Sequence, residues 1–417
     1  MSLRGKKGQV ARNDIQVYRG HGDQSVPSLI ARSFRFHGCL CRLCGCFFIS
    51  GLLGAKIQAA PRVVWKSVYT LYSCAVITFL IWLEVELIAD KANQASGHGE
   101  ILTSMLRVFM NIVLLFRMVV NYLCMSLGAS KMASFYSRAL AFEKHIGMAS
   151  WYRIAAKRFF WSDILRACLC IVVCTASTMT LPKQPPYKLS SYSGKSPLTV
   201  TYIWLRLLAT ATLYFVYDSV CIVTLKTSCE VLAEYMRSQL RALKVCFSLK
   251  GAQPLLHDDI SRCVETVRLN VFRIGQLKNE VNEVWQVALI VSSSCALLIP
   301  CTGVYEICRE GALMEQHYSV LLFGTWTWYE FVTLTLASQS LVNAAKEVKD
   351  FCKSLRRIDD DYCRNEVEQL HDSIDPEDLS LKGADFFQLK MSLLVSMAAS
   401  VVTYTVILVQ TSQSYKK

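Results

Sequence analysis

Long runs of apolar residues alternate with shorter polar and basic segments along most of this chain. A helix needs about 20 residues to cross the hydrocarbon core of a bilayer. Seven runs approach or exceed that length: residues 65–87, 101–127, 159–181, 199–225, 284–304, 318–342 and 386–409. The pattern therefore predicts an all-α, polytopic membrane protein with seven transmembrane helices.

A further apolar run, residues 36–53, precedes the first predicted span. It contains Arg42 and several glycines, so we interpret it as an interfacial or re-entrant helix. Structural zinc sites usually combine two separated ligand pairs on a turn-rich segment. Packing at the membrane interface or palmitoylation therefore explains the cysteines of this run better than a metal does, and no metal site or cofactor is predicted. These cysteines are Cys39, Cys41, Cys44 and Cys46.

Three segments after the fourth, before the fifth and after the sixth span carry apolar residues at three- and four-residue spacing. Such stripes are typical of amphipathic helices that bury one face. We therefore predict that spans four to six continue as helices into the cytosol and pack together there as a bundle. The predicted parts of the chain are an N-terminal segment with the interfacial helix (1–64), a six-helix sensing region with helix extensions (65–342), and an anchor helix with the seventh span (343–417).

Charge composition gives the orientation of these spans. The chain has a formal net charge of +13. Segments on one side of the predicted membrane hold 32 Lys and Arg residues, against 7 on the other side. Because cytoplasmic loops retain basic residues, the N-terminus is predicted in the cytoplasm and the C-terminus outside the cell. This orientation is opposite to that of a G-protein-coupled receptor. The basic residues lie beside apolar spans, which argues against nucleic-acid binding.

Ionisable and aromatic residues inside the spans indicate a binding region. An unpaired charge in a membrane costs several kcal/mol, so Arg107, Asp218 and Glu330 mark either a pair between helices or a ligand or ion site. Phe323, Trp326 and Tyr329 share one face of the sixth span. Trp326 and Tyr329 lie deeper than an interfacial aromatic belt requires. We predict that Arg107, Trp326 and Tyr329 approach one cavity in the outer half of the bundle, with Phe323 and Asp218 as further candidates.

The final predicted span carries a sequence motif of polar and aromatic residues near its outer end. It contains Thr403 and Tyr404, then five mostly apolar residues, then Gln410 and Thr411, and an Ala-x-Phe-Phe-x-Leu segment begins at Ala384. This combination resembles the signature of arthropod gustatory receptors, and odorant co-receptors share a close version. The family usually has Phe at the position of Thr411. Catalytic motifs such as G-x-S-x-G and H-E-x-x-H do not occur.

The resemblance implies a tetrameric, ligand-gated cation channel in the plasma membrane, without enzymatic activity. By this resemblance the last helix of each subunit lines the pore. Ile407 and Thr411 then face the axis, Gln410 lies beside them, and Thr403 or Tyr404 continues the same stripe. A small tastant binds in the outer half, and the subunits form a homo- or hetero-tetramer. The alternatives are a seven-span G-protein-coupled receptor and an odorant-receptor-type channel subunit.

Overall fold

The computed structural model of the chain describes residues 28–51, 61–95, 101–146, 165, 169, 172, 197–250, 257–310, 318–355, 361–384 and 386–414. Helices dominate these residues. They are α1 (Leu29–Leu43), α2 (Val68–Ala95), α3 (Ile101–Leu127), α4 (Ala129–Ile146), α5 (Pro197–Lys250), α6 (His257–Glu310), α7 (Tyr318–Leu355), α8 (Asp361–Ser373) and α9 (Met391–Ser414). A short 3-10 helix (Glu377–Leu379) and two short antiparallel strand pairs complete the described fold: β1 (Ile49–Ser50) with β2 (Arg62–Val63), and β3 (Lys382–Gly383) with β4 (Phe387–Gln388).

Four helical segments of the described chain are long and apolar enough to cross a membrane. They are Val68–Glu86, Val108–Leu127, Asp259–Tyr305 and Met391–Thr411, and they correspond to predicted spans one, two, five and seven. Helices α5 and α7 contain predicted spans four and six. Predicted span three, residues 159–181, lies outside the described residues apart from three helical positions, 165, 169 and 172.

Helices α5 and α6 each have 54 residues. At 1.5 Å per residue each is about 80 Å long, whereas the hydrocarbon core of a bilayer is about 30 Å thick. Both helices, together with α7, therefore continue well past their apolar spans, as the sequence predicts. We call these continuations (residues 226–250, 257–283 and 343–355), with α4 and α8, the extension layer.

The apolar stripes of the extension layer bury against each other inside one chain. The buried members of the predicted stripes are Leu232, Met236, Leu240, Leu243, Ile260, Val264, Val267, Val271, Ile274, Val281, Val348, Cys352, Val367 and Leu370. Helix α4, which apolar patterning did not predict, adds Phe135, Tyr136 and Phe142 to the same core. Most apolar residues of these stripes are thus already buried within a single subunit.

The apolar run 36–53 is not one continuous helix. Its helical part ends with α1 at Leu43, and the chain then turns at Gly45, whose φ of +81° lies in the left-handed region that glycine tolerates. Further along the run, Ile49 and Ser50 form strand β1. At 15 residues, α1 is about 22 Å long, too short to cross a bilayer. Cys41, Cys44 and Cys46 are buried, while Cys39 is exposed.

A polar clamp holds the segment that leads into α9. The Lys278 ammonium of α6 donates to the Asp378 carbonyl oxygen at 2.6 Å. The Asn282 side-chain oxygen accepts from the Lys382 backbone N–H at 2.9 Å. The Ser338 hydroxyl of α7 donates to the Leu389 carbonyl oxygen at 3.2 Å. Burial and the nearby Lys382 charge lower the pKa of Lys278 to about 8. The start of α9 is therefore fixed to both α6 and α7.

Candidate ligand site and pore helix

A buried ionic cluster joins α3, α5 and α7. The Arg117 Nε atom lies 3.0 Å from an Asp218 carboxylate oxygen, and its Nη2 atom lies 3.9 Å from a Glu330 carboxylate oxygen. The three side chains are between 0% and 1% exposed. Two carboxylates around one guanidinium give the cluster a formal charge of −1 when all three groups are ionised. We call these three residues the ionic level.

Backbone contacts fix the same cluster. The Asn121 amide nitrogen donates to the Tyr217 and Asp218 carbonyl oxygens at 3.0 and 2.8 Å, and Arg117 Nη2 donates to the Asp218 carbonyl oxygen at 3.3 Å. Arg117 and Asn121 are four residues apart, so they share one face of α3. A helical carbonyl already accepts a bond within its own helix, and its second lone pair serves here as an acceptor between helices. The cluster thus ties α3 tightly to α5.

Aromatic and apolar side chains form the next level toward the Ile101 end of α3. Trp326 and Phe215 lie one helical turn before Glu330 and Asp218 on the parallel helices α7 and α5. Their ring centroids are 6.1 Å apart in an edge-to-face arrangement. The ring of Tyr329 lies 5.7 Å from that of Trp326. On the α3–α6 side the level continues in a small buried cluster of Met110, Leu114, Cys295 and Ile299. We call these residues the aromatic level.

The indole nitrogen of Trp326 is a distinctive atom in this level. Trp326 is 2% exposed, and its Nε1 makes no hydrogen bond with any described group. A buried indole N–H usually finds an acceptor, because leaving it unpaired costs free energy. The aromatic level therefore offers a donor to a small molecule that carries an acceptor oxygen.

The predicted ligand residues divide between these two levels. Asp218 and Glu330 belong to the ionic level, where their partner is Arg117 and the distances favour a pair between helices. Trp326 is buried in the aromatic level, and Tyr329 beside it is 40% exposed. The side chains of Arg107 and Phe323 lie outside the described side chains, although both residues are helical.

Two buried polar residues that join helices, Arg117 and Glu143, are not predicted from the sequence. Arg117 is not among the candidate site residues that the sequence indicates, although it carries a charge within the second predicted span. Glu143 on α4 is 3% exposed, and its carboxylate accepts from the backbone N–H groups of Leu29 and Ile30 at 3.0 and 2.9 Å and from the Tyr235 hydroxyl. Burial raises the pKa of Glu143, and these hydrogen bonds oppose that shift. Glu143 thereby holds the start of α1 against α4 and α5.

Helix α9 packs on the bundle through one face. Leu394, Met397 and Thr405 are buried, and Val401 approaches Cys301 of α6 through its carbonyl oxygen, 3.9 Å from the thiol sulfur. The opposite face is open to the surroundings of the chain. It includes all five predicted pore residues: Thr403, Tyr404, Ile407, Gln410 and Thr411.

The open face of α9 mixes apolar and hydroxyl-bearing side chains. Tyr404 is 54% exposed and Ile407 is 50% exposed. The hydroxyls of Thr403 and Thr411 donate to the carbonyl oxygens four residues earlier, at 2.9 and 2.8 Å. Such hydroxyls satisfy their donors locally and present their remaining lone pairs outward. Within the described residues, no group of three or more His, Cys, Asp and Glu side chains is arranged to hold a metal ion.

Comparison with known proteins gives a family match and structural matches. The model of a family described as "7tm Chemosensory receptor" matches residues 34–415. Two similar solved structures are of the insect olfactory receptor OR5 from Machilis hrabei, one of them in complex with eugenol. They have TM-scores of 0.63 (the complex) and 0.64, share 16% identity with this chain, and cover 91% of it and 97% of their own chains. A search of curated proteins gives no match.

Proposed function

The chain belongs to the 7tm chemosensory receptor family, and on that basis we propose that it is a gustatory-type, ligand-gated, non-selective cation channel of the plasma membrane. The observation that carries this proposal is the two-faced packing of α9. One face is buried on α6 and α7, while the other presents Thr403, Tyr404, Ile407 and Thr411 outward. An ion pathway needs a surface of mixed polarity that the bundle itself leaves uncovered.

In this proposal four copies of α9 surround the pore. Four Ile407 side chains form an apolar ring that closes the pore by dewetting, and Thr411 forms a more polar ring one turn further on. Gln410, on the flank of this stripe, contributes to ion selectivity. The polar clamp, which ties Asp378, Lys382 and Leu389 to α6 and α7, transmits movement of these two helices to the start of α9.

Cysteine substitution along α9 tests the pore face. Ile407→Cys and Thr411→Cys receptors should lose tastant-evoked current when a charged thiol reagent is added with tastant. Thr405→Cys is the matched control, because Thr405 is buried against the bundle, and the unsubstituted receptor gives the background. Equal insensitivity at positions 405, 407 and 411 would show that α9 does not line the pore. Gln410→Arg should also shift the reversal potential.

We propose that the tastant binds in the aromatic level. Trp326, Tyr329 and Phe215 provide apolar contact area, and the indole N–H of Trp326 provides a donor for a ligand oxygen. A small molecule of this kind is consistent with the eugenol complex of the similar olfactory receptor. Arg107 and Phe323 are proposed as further contacts, and the ionic level with Asp218 forms the floor of the site.

Dose-response measurements test this site. Ala substitution of Arg107, Trp326 or Tyr329 should raise the tastant concentration that gives half-maximal current, with unchanged surface expression. Leu336→Ala is the matched control, since Leu336 lies on the same helix and is 50% exposed. If all three substitutions behave like the control, the tastant binds elsewhere.

The proposed tetramer needs a contact surface made of residues that are not already buried in the core of one subunit. Leu355, at the end of α7, is partly buried against the core of its own chain and is therefore a poor candidate for such a contact. Phe272 on α6 is a better choice, because it is 65% exposed in the extension layer. Phe272→Asp should shift the receptor from tetramer to monomer on native gels, whereas Asp at the exposed Thr266 should not.

The alternatives differ in orientation and ligand. Epitope tags on both termini of intact cells should place the N-terminus inside and the C-terminus outside. An external N-terminus would instead favour a G-protein-coupled receptor. Responses restricted to volatile ligands, and then only with a co-expressed partner subunit, would favour an odorant-receptor-type subunit.

A further inference from the structure

Two cysteines face each other near the free end of the α5–α6 hairpin. The two helices run antiparallel, and residues 251–256 connect them in the sequence. The Asn270 amide nitrogen of α6 donates to the Gln239 side-chain oxygen of α5 at 3.0 Å, and both residues are buried. This contact fixes which residues of the two helices lie at the same level.

The position of the cysteines follows from that contact. Cys246 is seven residues after Gln239, and Cys263 is seven residues before Asn270. Seven residues correspond to about two helical turns, so each cysteine lies on the same side of its helix as the hydrogen-bonded residue. Because the helices run in opposite directions, both steps lead to one level. The two thiols therefore lie close together, near enough for each to shift the pKa of the other.

The environment of this thiol pair allows reaction. Cys246 and Cys263 are partly exposed, whereas Cys229 and Cys352 of the same layer are buried. The neighbouring Cys263 thiol favours the Cys246 thiolate and lowers the pKa of Cys246, although burial opposes the shift. A thiolate is the reactive form of cysteine, and accessibility to a small oxidant is the other requirement.

We propose that Cys246 and Cys263 form a redox-modification site, at which a peroxide converts the two thiols into a disulfide between α5 and α6. The Cys246 thiolate attacks one oxygen of hydrogen peroxide, and the O–O bond breaks to give a sulfenic acid and hydroxide, which takes up a proton to become water. The Cys263 sulfur then attacks the Cys246 sulfur and releases a second water. Overall, two thiols are oxidised while one peroxide is reduced to two waters.

The disulfide has a defined structural consequence. Phe247, next to Cys246, contacts the Phe351 ring of α7 with centroids 6.5 Å apart, and the Lys244 ammonium lies 5.8 Å from the same ring. A covalent link at residues 246 and 263 therefore holds the end of the hairpin together where it packs on α7. On the proposed orientation this end is cytoplasmic, where disulfides are transient and redox-sensing.

Peptide mapping of the full-length receptor in detergent tests the site directly. Trypsin releases Cys246 in residues 245–250 and Cys263 in residues 263–268, and each peptide contains no other cysteine. After hydrogen peroxide treatment and blocking of free thiols, we expect these two peptides joined, with the loss of two hydrogen atoms. Dithiothreitol should restore both separate peptides. The absence of the joined species while both cysteines carry the blocking group would overturn the proposal.

Variants distinguish this pairing from random oxidation. Cys246→Ser and Cys263→Ser should each abolish the joined peptide, while Cys229→Ser should leave it unchanged. Oxidation should raise the thermal unfolding midpoint of the unsubstituted receptor, and this rise should be absent in both single variants. A joined peptide between Cys246 or Cys263 and another cysteine at equal yield would show that the two thiols are not a dedicated pair. Neither measurement depends on channel activity.

Discussion

The ionic level provides the most decisive test of how the helices are held together. Arg117→Met keeps a side chain of similar length but removes the charge that faces Asp218 and Glu330. All three residues are at most 1% exposed, so water does not replace the lost partner. Breaking a buried ion pair by removing one member costs about 3–5 kcal/mol. Protonation of the Asp218 carboxylate limits this cost, so we expect a loss of about 3 kcal/mol.

The assay is equilibrium unfolding of the purified receptor in detergent, with Arg138→Met as control. Arg138 of α4 pairs with Glu280, but its side chain is 63% exposed, so its loss should cost at most about 1 kcal/mol. Adding Asp218→Asn to Arg117→Met should recover part of the stability, because one stranded carboxylate is removed. Equal, small losses for the two arginine variants would refute the assignment of Arg117 as the charge that joins three helices.

Three further predictions concern the extension layer and its junction with α3. Glu143→Ala leaves two backbone N–H groups and a hydroxyl without their acceptor, so it should lower the unfolding free energy by about 2–4 kcal/mol and loosen α1 in limited proteolysis. Gly275→Ala should raise thermal stability, because a Cβ there meets nothing within 4 Å, whereas Gly128→Ala should lower it, because its Cβ would lie 2.4 Å from a Val284 methyl group. The Lys278 pKa of about 8 is below its usual 10.5, so the unfolded chain binds more protons between these values. Stability should therefore rise from pH 8 to 10.5, and Lys278→Met should flatten that rise in melting curves.

Hydrophobic periodicity predicted the helices better than their mutual contacts. The stripes from Leu232 to Leu243 and from Ile260 to Val281 are buried as expected, because helical spacing determines which residues share a face. Periodicity does not determine which faces of different helices meet. Asp218 and Glu330 were recognised as buried charges, but their partner is Arg117, which depends on the relative depth of α3 and α5.

Short and mixed segments were the least predictable. Helix α4 has 18 residues that mix apolar with polar and charged side chains and follows α3 directly after Gly128, so hydrophobic periodicity does not separate it from a polar connection between spans. Its Glu143 reads as a solvated charge in sequence, although tertiary hydrogen bonds to α1 make it a buried anchor. The β3–β4 hairpin is held mostly by side chains distant in sequence, such as Asn282 and Ser338, which local propensity cannot reveal.

The continuity of α6 has a mechanical consequence. Because its 54 residues form one helix, it acts as a lever that runs from the extension layer to the level of the aromatic side chains. A tilt of about 5° about Pro300 displaces the His257 end of the helix, 43 residues or about 65 Å away, by about 6 Å, which is close to the helical pitch of about 5.4 Å. Pro300, ten residues before the end of α6, interrupts the hydrogen-bond ladder and is the natural fulcrum. Small adjustments beside Ile299 can thus be amplified into large displacements at the far end, without any change in the fold.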